Sequence, residues 1–377
     1  MAPLLSIVIP TKNRYKYLYK LVELIDSFHT EEIEICISDN SDDNTCFLNF
    51  LRDEGYQDKV VYNHYTEHLS QSENSDKAIL MSHGEYVCFI GDDDGVLPEI
   101  VKVTRKLKTM GAEAILANNP TYNWPDYFDP KFKSMLFYNL PTGTIKRLDA
   151  KKELDSVISH GFITLECMPQ VYHGIVKRSV LDKLYKQLGT YSPGGSPDIA
   201  TASALSLIVD NFFYIDMPII ISGQSIHVGG GERALRGNLP KIGDVPYLPH
   251  TIVHDWNPRI PDVWCSDTIW PQSAIFALTL MDYPGVNNVD YDNLLAIFLN
   301  NHSRYYNQYK HLAENITRVK LLICYKKMRG LARKIKIGLL AFFKGGDKSD
   351  GRMTKQKLNT INEAASFLSI ISNRIVL

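Results

Sequence analysis

Three consecutive aspartates, Asp92, Asp93 and Asp94, follow the apolar run 86–90, which is short and rich in aromatic and branched residues. Such a run predicts a buried strand. Adjacent carboxylates repel one another unless they are solvated or bound to a cation, and clustered carboxylate oxygens suit hard ions such as Mg²⁺ or Mn²⁺. The motif therefore indicates either a metal site or an acidic loop before a helix that begins at Pro98.

A second group of polar residues follows another buried run. Residues 33–38 predict a strand, and Asp39 begins the polar stretch after it. The first apolar run, 4–9, ends at Pro10 and predicts a further buried strand. In an open α/β sheet, ligands bind at the carboxyl ends of the strands, so these polar residues are candidates for a ligand site.

Strands and helices alternate through the first third of the chain. Apolar residues at helical spacing predict helices over 14–28, 72–83 and 98–110, separated by predicted strands over 33–38, 60–62, 86–90 and 114–117. This alternation predicts a doubly wound, mostly parallel sheet.

The middle of the chain offers fewer signals. Residues 119–141 show no clear period, and we interpret them as a long surface loop that either shapes a substrate site or is structural padding. Asp198 begins a predicted helix, where an acid also serves as a helix cap. Glycines 229–231 precede Arg233 and Arg236, a pattern typical of a mobile loop that closes over an anion or of a plain connector.

Three tryptophans, Trp256, Trp264 and Trp270, lie in a segment without a recognisable motif. They either stack on a bound carbohydrate or form a small core.

The composition is that of an ordinary globular protein. The 377 residues carry a formal net charge of −1, so no overall field favours nucleic acid. The six cysteines are scattered, which favours a reducing compartment. We expect no signal peptide and no membrane span, and hence a cytoplasmic protein.

A basic helix is predicted near the C-terminus. Residues 318–344 contain nine Lys and Arg side chains interleaved with apolar residues and no acid. A basic amphipathic helix suits an anionic membrane surface. The alternatives are a helix docked on the rest of the protein or, less favoured, an RNA-binding segment.

Together, three motifs resemble the nucleotide-sugar half of the family 2 glycosyltransferases with the GT-A fold. They are residues 6–14 (SIVIPTKNR), residues 37–43 (ISDNSDD) and residues 84–98 (GEYVCFIGDDDGVLP), and the resemblance covers about residues 4–225. It implies an α/β GT-A fold, with a mixed, mostly parallel sheet and flanking helices, followed by a C-terminal helical region. It further implies a GT-A domain over 1–225 with donor and acceptor halves (1–118 and 119–225), an active-site loop and acceptor region over 226–285, and a helical region over 286–377.

The resemblance also implies roles for individual residues. Asp198 matches the catalytic base, although Pro197 replaces the family's preceding glutamate, and Gly91 stands where many members have the first aspartate of the metal motif. The implied metal ligands for Mn²⁺ or Mg²⁺ are Asp92, Asp93, Asp94 and His227. The implied donor-binding residues are Pro10, Thr11, Arg14, Asp39, Asn74, Lys77, Asp92, Asp93, Arg233 and Arg236.

The activity implied is inverting transfer of a sugar from a nucleotide-diphosphate sugar, UDP-linked, to a hydroxyl of a glycan. With the basic helix, it suggests a polyprenyl-linked acceptor in bacterial surface polysaccharide synthesis, at the cytoplasmic face of the inner membrane.

Two alternatives remain. A sugar-nucleotide nucleotidyltransferase would carry a glycine-rich loop after the first strand, whereas residues 10–14 contain no glycine. A non-catalytic scaffold at the membrane would not need the acidic residues.

Overall fold

The computed structural model describes residues 2–165, 167–226, 238–344 and 352–375. Its strands are β1 (Leu5–Thr11), β2 (Ile33–Asp39), β3 (Val60–His64), β4 (Tyr86–Phe89), β5 (Gly95–Val96), β6 (Ala114–Ala117), β7 (Thr121–Asn123), β8 (Met135–Tyr138), β9 (Ile145–Leu148), β10 (Gly174–Lys177), β11 (Phe212–Ile215), β12 (Ile220–Gln224) and β13 (Met353–Gln356). Its α-helices are α1 (Tyr15–Asp26), α2 (Thr45–Asp53), α3 (Gln71–Leu80), α4 (Glu99–Thr109), α5 (Ala150–Ser159), α6 (Arg178–Leu188), α7 (Pro197–Leu205), α8 (Ser266–Leu280), α9 (Tyr291–Asn301), α10 (Tyr306–Tyr309), α11 (Ile316–Lys344) and α12 (Ile361–Ser372).

The main sheet has eight strands in the order β3-β2-β1-β4-β10-β6-β11-β9. β1 pairs in parallel with β2 and β4, whereas β10 runs antiparallel to both of its neighbours and β9 runs antiparallel to β11. The central strands are apolar along their length because helices cover both faces of the sheet. The predicted fold class, a mixed and mostly parallel α/β sheet, is confirmed.

The prediction of a surface loop over 119–141 is wrong. This segment forms β7 and β8, which join β12, β5 and β13 in a second sheet of five strands. Tyr122 and Leu136 are fully buried, and Trp124 is nearly so. All four residues of β8 are buried, so apolar and polar residues do not alternate along it and the sequence shows no strand period.

The C-terminal segment returns to this second sheet. β13 pairs antiparallel with β8, and α12 packs its buried residues Ile361 and Leu368 beside Tyr17 of α1. Residues 352–375, which were grouped with the C-terminal helical region, therefore complete the core beside the first helix. The three-unit division of the chain itself stays a prediction.

Helix α11 has two different parts. Val319 is fully buried against the α9 region, and Leu322 and Ile323 are partly buried there. From residue 324 to residue 339 nearly every side chain is exposed. None of the helices in the described ranges has the length and apolar character needed to cross a membrane.

Candidate active site

Three strand ends meet at one edge of the main sheet. Thr11, the last residue of β1, is the register partner of Asp39, the last residue of β2. β4 runs parallel to β1 on its other side and is followed by the aspartates. Because these strands are parallel, their carboxyl ends lie together, and the polar residues predicted from the sequence converge.

Asp92 and Asp93 face one shared cation. Arg14 places Nε 3.0 Å from Oδ1 of Asp92 and Nη2 2.6 Å from Oδ2 of Asp93. Thr11 donates a hydrogen bond of 2.6 Å to the other oxygen of Asp92. Ser225 donates one of 2.6 Å from its hydroxyl to Asp93. The two carboxylates are nearly inaccessible to solvent, so their charges depend on these partners.

Asp94 is engaged with the protein on both oxygens. Oδ2 accepts from the backbone N–H of Gly91 at 2.6 Å and lies 2.6 Å from Nε2 of His173. Oδ1 accepts from the backbone N–H of Gly223 at 2.7 Å. A Cβ at Gly223 would lie 1.7 Å from the carbonyl oxygen of Asp93, so only glycine allows this approach. Asp94 thus ties the acidic loop to β12 and to the residue before β10.

Burial dominates the electrostatics of this group. It raises the pKa of Asp92 to about 7, against the opposing charge of Arg14, and it also raises the pKa of Asp93. For Arg14, burial opposes the charged form, but Asp92 and Asp93 outweigh it and raise the pKa of the guanidinium. The carboxylates therefore favour a cation between them.

The remaining predicted donor residues lie along the same edge. The fully buried Asp39 accepts hydrogen bonds from the hydroxyls of Tyr15 and Tyr62, at 2.6 and 2.7 Å. Asn74 accepts from Ser38 and donates to the backbone of Thr11, so it joins the ends of β1 and β2.

Two further predicted donor residues lie beside these. Lys77 of α3 lies over the ring of Tyr65, 5.0 Å from its centroid. Pro10 is the penultimate residue of β1 and is partly exposed.

Asp198 lies in the first turn of α7, where Ser196 donates a hydrogen bond to Oδ1. The loop before it is anchored on both sides. The carbonyl of Gly194 accepts from Ser72 of α3 at 2.7 Å, and the amide of Ser196 donates to Ser273 of α8 at 3.0 Å. A cavity of about 90 Å³ lies between this loop and α8.

Asp198 is electrostatically connected to the acidic loop. Burial raises its pKa, partly offset by the hydrogen bond from Ser196 and by the charge of His173. Burial lowers the pKa of His173, but Asp94 reverses this, with smaller contributions from Asp93 and Asp198, and the net shift is upward. The charge of one histidine thus interacts with both acidic groups.

Three predicted residues, His227, Arg233 and Arg236, lie outside the described residues. The tryptophans are partly or fully packed in two apolar clusters, with Trp264 buried, so they contribute to a small core. Sequence reasoning missed the partners of the acids, His173, Ser225 and Tyr62. Each reaches the site through a long-range contact, and none lies in a motif.

The donor set fits a hard divalent ion. Asp92 and Asp93 present carboxylate oxygens toward a common positive group, and carboxylate oxygens are the ligands that Mg²⁺ and Mn²⁺ prefer. Asp94 also has carboxylate oxygens, but an ion would share them with Gly91, Gly223 and His173.

Comparisons with known proteins find similarities in the N-terminal part of the chain. Residues 6–168 match the sequence model of Glycosyl transferase family 2. Abequosyltransferase RfbV of Salmonella typhimurium is 27% identical over 139 residues, which cover 32% of this chain and 41% of that protein. The GalNAc(5)-diNAcBac-PP-undecaprenol beta-1,3-glucosyltransferase of Campylobacter jejuni is 29% identical over 121 residues, covering 31% and 38%. The chain thus spans about two fifths of the length of these curated relatives.

Among solved structures, residues 1–349 of S. aureus TarS in complex with UDP-GlcNAc superpose with a TM-score of 0.46 at 15% identity, covering 95% of this chain and 97% of that one. A mannosyltransferase from Pyrobaculum calidifontis in complex with GDP-Man and Mn²⁺ gives a TM-score of 0.38 at 14% identity, covering 87% and 88%. The family match coincides with β1, β2, β4 and the acidic loop after β4. Residues 6–168 are thus similar to glycosyl transferase family 2.

Proposed function

We propose that this protein is an inverting glycosyltransferase that transfers a sugar from a UDP-linked donor to a hydroxyl group of a glycan. One observation carries the proposal: Asp92 and Asp93 are held beside a shared cation at the sheet edge that also carries Asp39. This edge is the ligand-binding edge of an open α/β sheet. Asp198, whose charge interacts with that of His173 beside Asp94, would supply a separate acid.

The donor half of the reaction needs charge stabilisation. A sugar nucleotide leaves as a diphosphate, and a divalent ion held by Asp92 and Asp93 would supply Lewis-acid stabilisation of that charge. Asp39, fixed by Tyr15 and Tyr62, would bind the uracil or ribose. Thr11 and Ser225 orient the two carboxylates, so the site is arranged before the donor binds.

The acceptor half needs a base on the opposite side of the sugar. Asp198 would accept the proton of the acceptor hydroxyl as its oxygen attacks C1, which inverts the anomeric centre. Burial raises the pKa of Asp198, and a carboxylate of higher pKa is the stronger base as long as it is ionised. Ser196, by its hydrogen bond, fixes the direction of the carboxylate.

The acceptor proposal rests on the relatives and on α11. One relative is named as a transferase of an undecaprenol-linked glycan, and another as an abequosyltransferase. We propose by analogy a glycan acceptor, polyprenyl-linked, in bacterial surface polysaccharide synthesis. With such an acceptor, the enzyme would act at the cytoplasmic face of the inner membrane.

Helix α11 supports a membrane location by its exposed surface. Its exposed apolar side chains recur at intervals of three and four residues and so form one stripe. They are Leu321, Tyr325, Met328, Leu331, Ile335 and Leu339, each more than half exposed. Basic side chains, among them Arg329, Arg333 and Lys336, lie between the positions of this stripe, and their charge complements an anionic lipid surface.

Point variants test this location better than truncation. Deleting the chain beyond residue 314 would also remove β13 and α12, which belong to the core, so a loss of binding would be ambiguous. We expect Arg333→Glu/Lys334→Glu to weaken binding to phosphatidylglycerol vesicles by at least about thirtyfold, since each lost basic residue contributes about 1 kcal/mol near an anionic surface and each new glutamate is repelled by it. Wild type should bind phosphatidylcholine vesicles weakly. Equal binding of both proteins to both vesicles would refute the membrane proposal and leave the donor site unaffected.

The donor site is tested by calorimetry of a panel of nucleotides and sugar nucleotides, with and without Mn²⁺. We expect one UDP-sugar to bind wild type in a metal-dependent manner and Asp93→Asn to lose this binding. The matched control is Asp58→Asn, an exposed aspartate at the amino end of β3 and so at the opposite edge of the sheet, which should bind like wild type. If a folded wild-type protein binds none of the panel, the glycosyltransferase proposal fails and a scaffold takes its place.

A further inference from the structure

A second group of potential metal ligands lies away from the acidic loop. Cys265 precedes the first turn of α8, Asp267 lies within that turn, and His302 follows the last residue of α9. Their sulfur, carboxylate and imidazole ligand atoms all lie within 4.8 Å of one another. Cys265 is a free thiol.

The spacing is close to that of a bound ion. In a tetrahedral site with Zn–S near 2.3 Å and Zn–N near 2.0 Å, neighbouring ligand atoms are about 3.5 Å apart. Nε2 of His302 already lies 3.3 Å from Oδ2 of Asp267. Small side-chain rotations would therefore bring all three atoms to coordination distance, and a water molecule would complete four ligands.

Neighbouring side chains hold two of the ligands in place. Asn301 donates a hydrogen bond of 2.9 Å to Oδ2 of Asp267 and so orients the carboxylate. The ring of Phe298 lies 5.1 Å from the ring of His302 and shields one side of it. Side chains that hold a ligand's direction from outside are typical of protein metal sites.

The types of ligand atom in each group favour a different metal ion. A thiolate and an imidazole suit borderline-soft ions, above all Zn²⁺, whereas the oxygen-only pair Asp92 and Asp93 suits Mg²⁺ or Mn²⁺. We propose that Cys265, Asp267 and His302 form a Zn²⁺ site that joins the start of α8 to the end of α9. The site is separate from donor binding and does not depend on the proposed function.

Such a site would stabilise the helical layer behind the acceptor side. α8 carries Gln272 and Ser273, which line the small cavity next to the loop before Asp198. Fixing the first turn of α8 against α9 therefore fixes one wall of that cavity. A cross-link of this kind raises the unfolding temperature when the ion is added.

Cobalt titration of the full-length, chelator-treated protein tests the proposal. Co²⁺ substitutes for Zn²⁺ and gives a thiolate-to-metal charge-transfer absorption. We expect one equivalent of Co²⁺ to produce this band, Zn²⁺ to displace it, and Zn²⁺ to raise the unfolding temperature. Cys265→Ser should lose the band. The cysteine control is Cys46→Ser, whose side chain is exposed, and it should keep the band.

Two further variants complete the test. His302→Gln, at a partly exposed position, should fold and give the thiolate band only at Co²⁺ concentrations at least tenfold higher, whereas Asp93→Asn should give the same thiolate band as wild type. Absence of the band in folded wild type would overturn the proposal. So would a band that survives in Cys265→Ser, or unchanged affinity in His302→Gln.

Discussion

The charged side chains at the acidic edge of the main sheet are buried and paired, whereas those on the exposed part of α11 face solvent. At the edge, Asp92, Asp93 and Asp94 are all nearly inaccessible, and each carboxylate has identified partners within the protein. Along residues 324–339 of α11, basic and apolar side chains alike are exposed. The acidic edge is thus buried and paired, whereas this part of α11 is exposed to solvent.

The difference lies in where the interaction energy comes from. Buried carboxylates are costly unless they are paired, so the edge is stable only with Arg14, Thr11, Ser225 and His173 in place. Exposed Lys and Arg cost almost nothing, and their contribution appears only when an anionic surface approaches. Substitutions at the edge should therefore change both folding and activity, whereas substitutions on α11 should change location alone.

The largest expected effect concerns Asp198. We predict that Asp198→Asn lowers the transfer rate by about 10²- to 10⁴-fold, because an amide cannot accept the proton of the acceptor hydroxyl. In wild type, the rate should fall as pH falls through the pKa of Asp198, which burial raises above its ordinary value. The measurement is the pH profile of kcat/KM with a UDP-sugar and an acceptor glycan.

The variant at residue 198 should bind the donor with unchanged affinity, since the donor contacts lie on the other acids. Loss of donor binding together with loss of transfer would mean that Asp198 acts through the fold of the site rather than as the base.

The next effect concerns the close approach of β12 to the acidic loop. We predict that Gly223→Ala destabilises the protein by about 3 kcal/mol, because its Cβ would lie 1.7 Å from the carbonyl oxygen of Asp93 and would force the backbone apart. The measurement is the urea midpoint, with donor binding recorded on the folded fraction. An unchanged midpoint would show that β12 can move away from the acidic loop at little cost, and that the close approach of Gly223 to Asp93 does not stabilise the protein.

The polar residues at this sheet edge were predicted from the sequence, but the side chains that hold the acidic loop in place were not. Thr11, Asp39 and Asp92 follow apolar runs of strand length, and parallel strands bring their ends together, so local patterns sufficed. His173 lies 79 positions from Asp94 and meets it only in the folded chain. Nothing in its neighbourhood marks it, although its positive φ of 59° is a local sign of special geometry once the structure is known.

The strands of the second sheet were not predicted from the sequence, for a related reason. β8 is buried on both faces, so it lacks alternation, and β13 is largely exposed, so it lacks an apolar pattern. Its pairing with β8 joins residues more than two hundred positions apart. In contrast, the basic and apolar positions of α11 repeat within one helix, and the helix was predicted from the sequence.

A smaller effect is expected on stability at the edge. Because burial raises the pKa of Asp198, the folded state favours the protonated acid. The contribution of this group to stability is therefore greatest at acid pH and declines as pH rises from the ordinary carboxyl pKa through the raised one. We predict that Asp198→Asn is more stable than wild type at neutral pH and that the two converge below the ordinary pKa. Urea denaturation at several pH values measures this, and a difference that grows toward acid pH would contradict it.

The smallest effect is expected on α11. Gly330 lies in the exposed part of the helix, and a Cβ there would meet nothing within 4 Å. Alanine in a helix interior is favoured over glycine by about 1 kcal/mol, so Gly330→Ala should slow hydrogen exchange of the neighbouring amides. The urea midpoint should stay unchanged, because the exposed turns have few contacts with the core and open independently of it. A shift of the midpoint by the full amount would mean that the helix is part of the cooperative fold, and the contrast between the two regions would then fail.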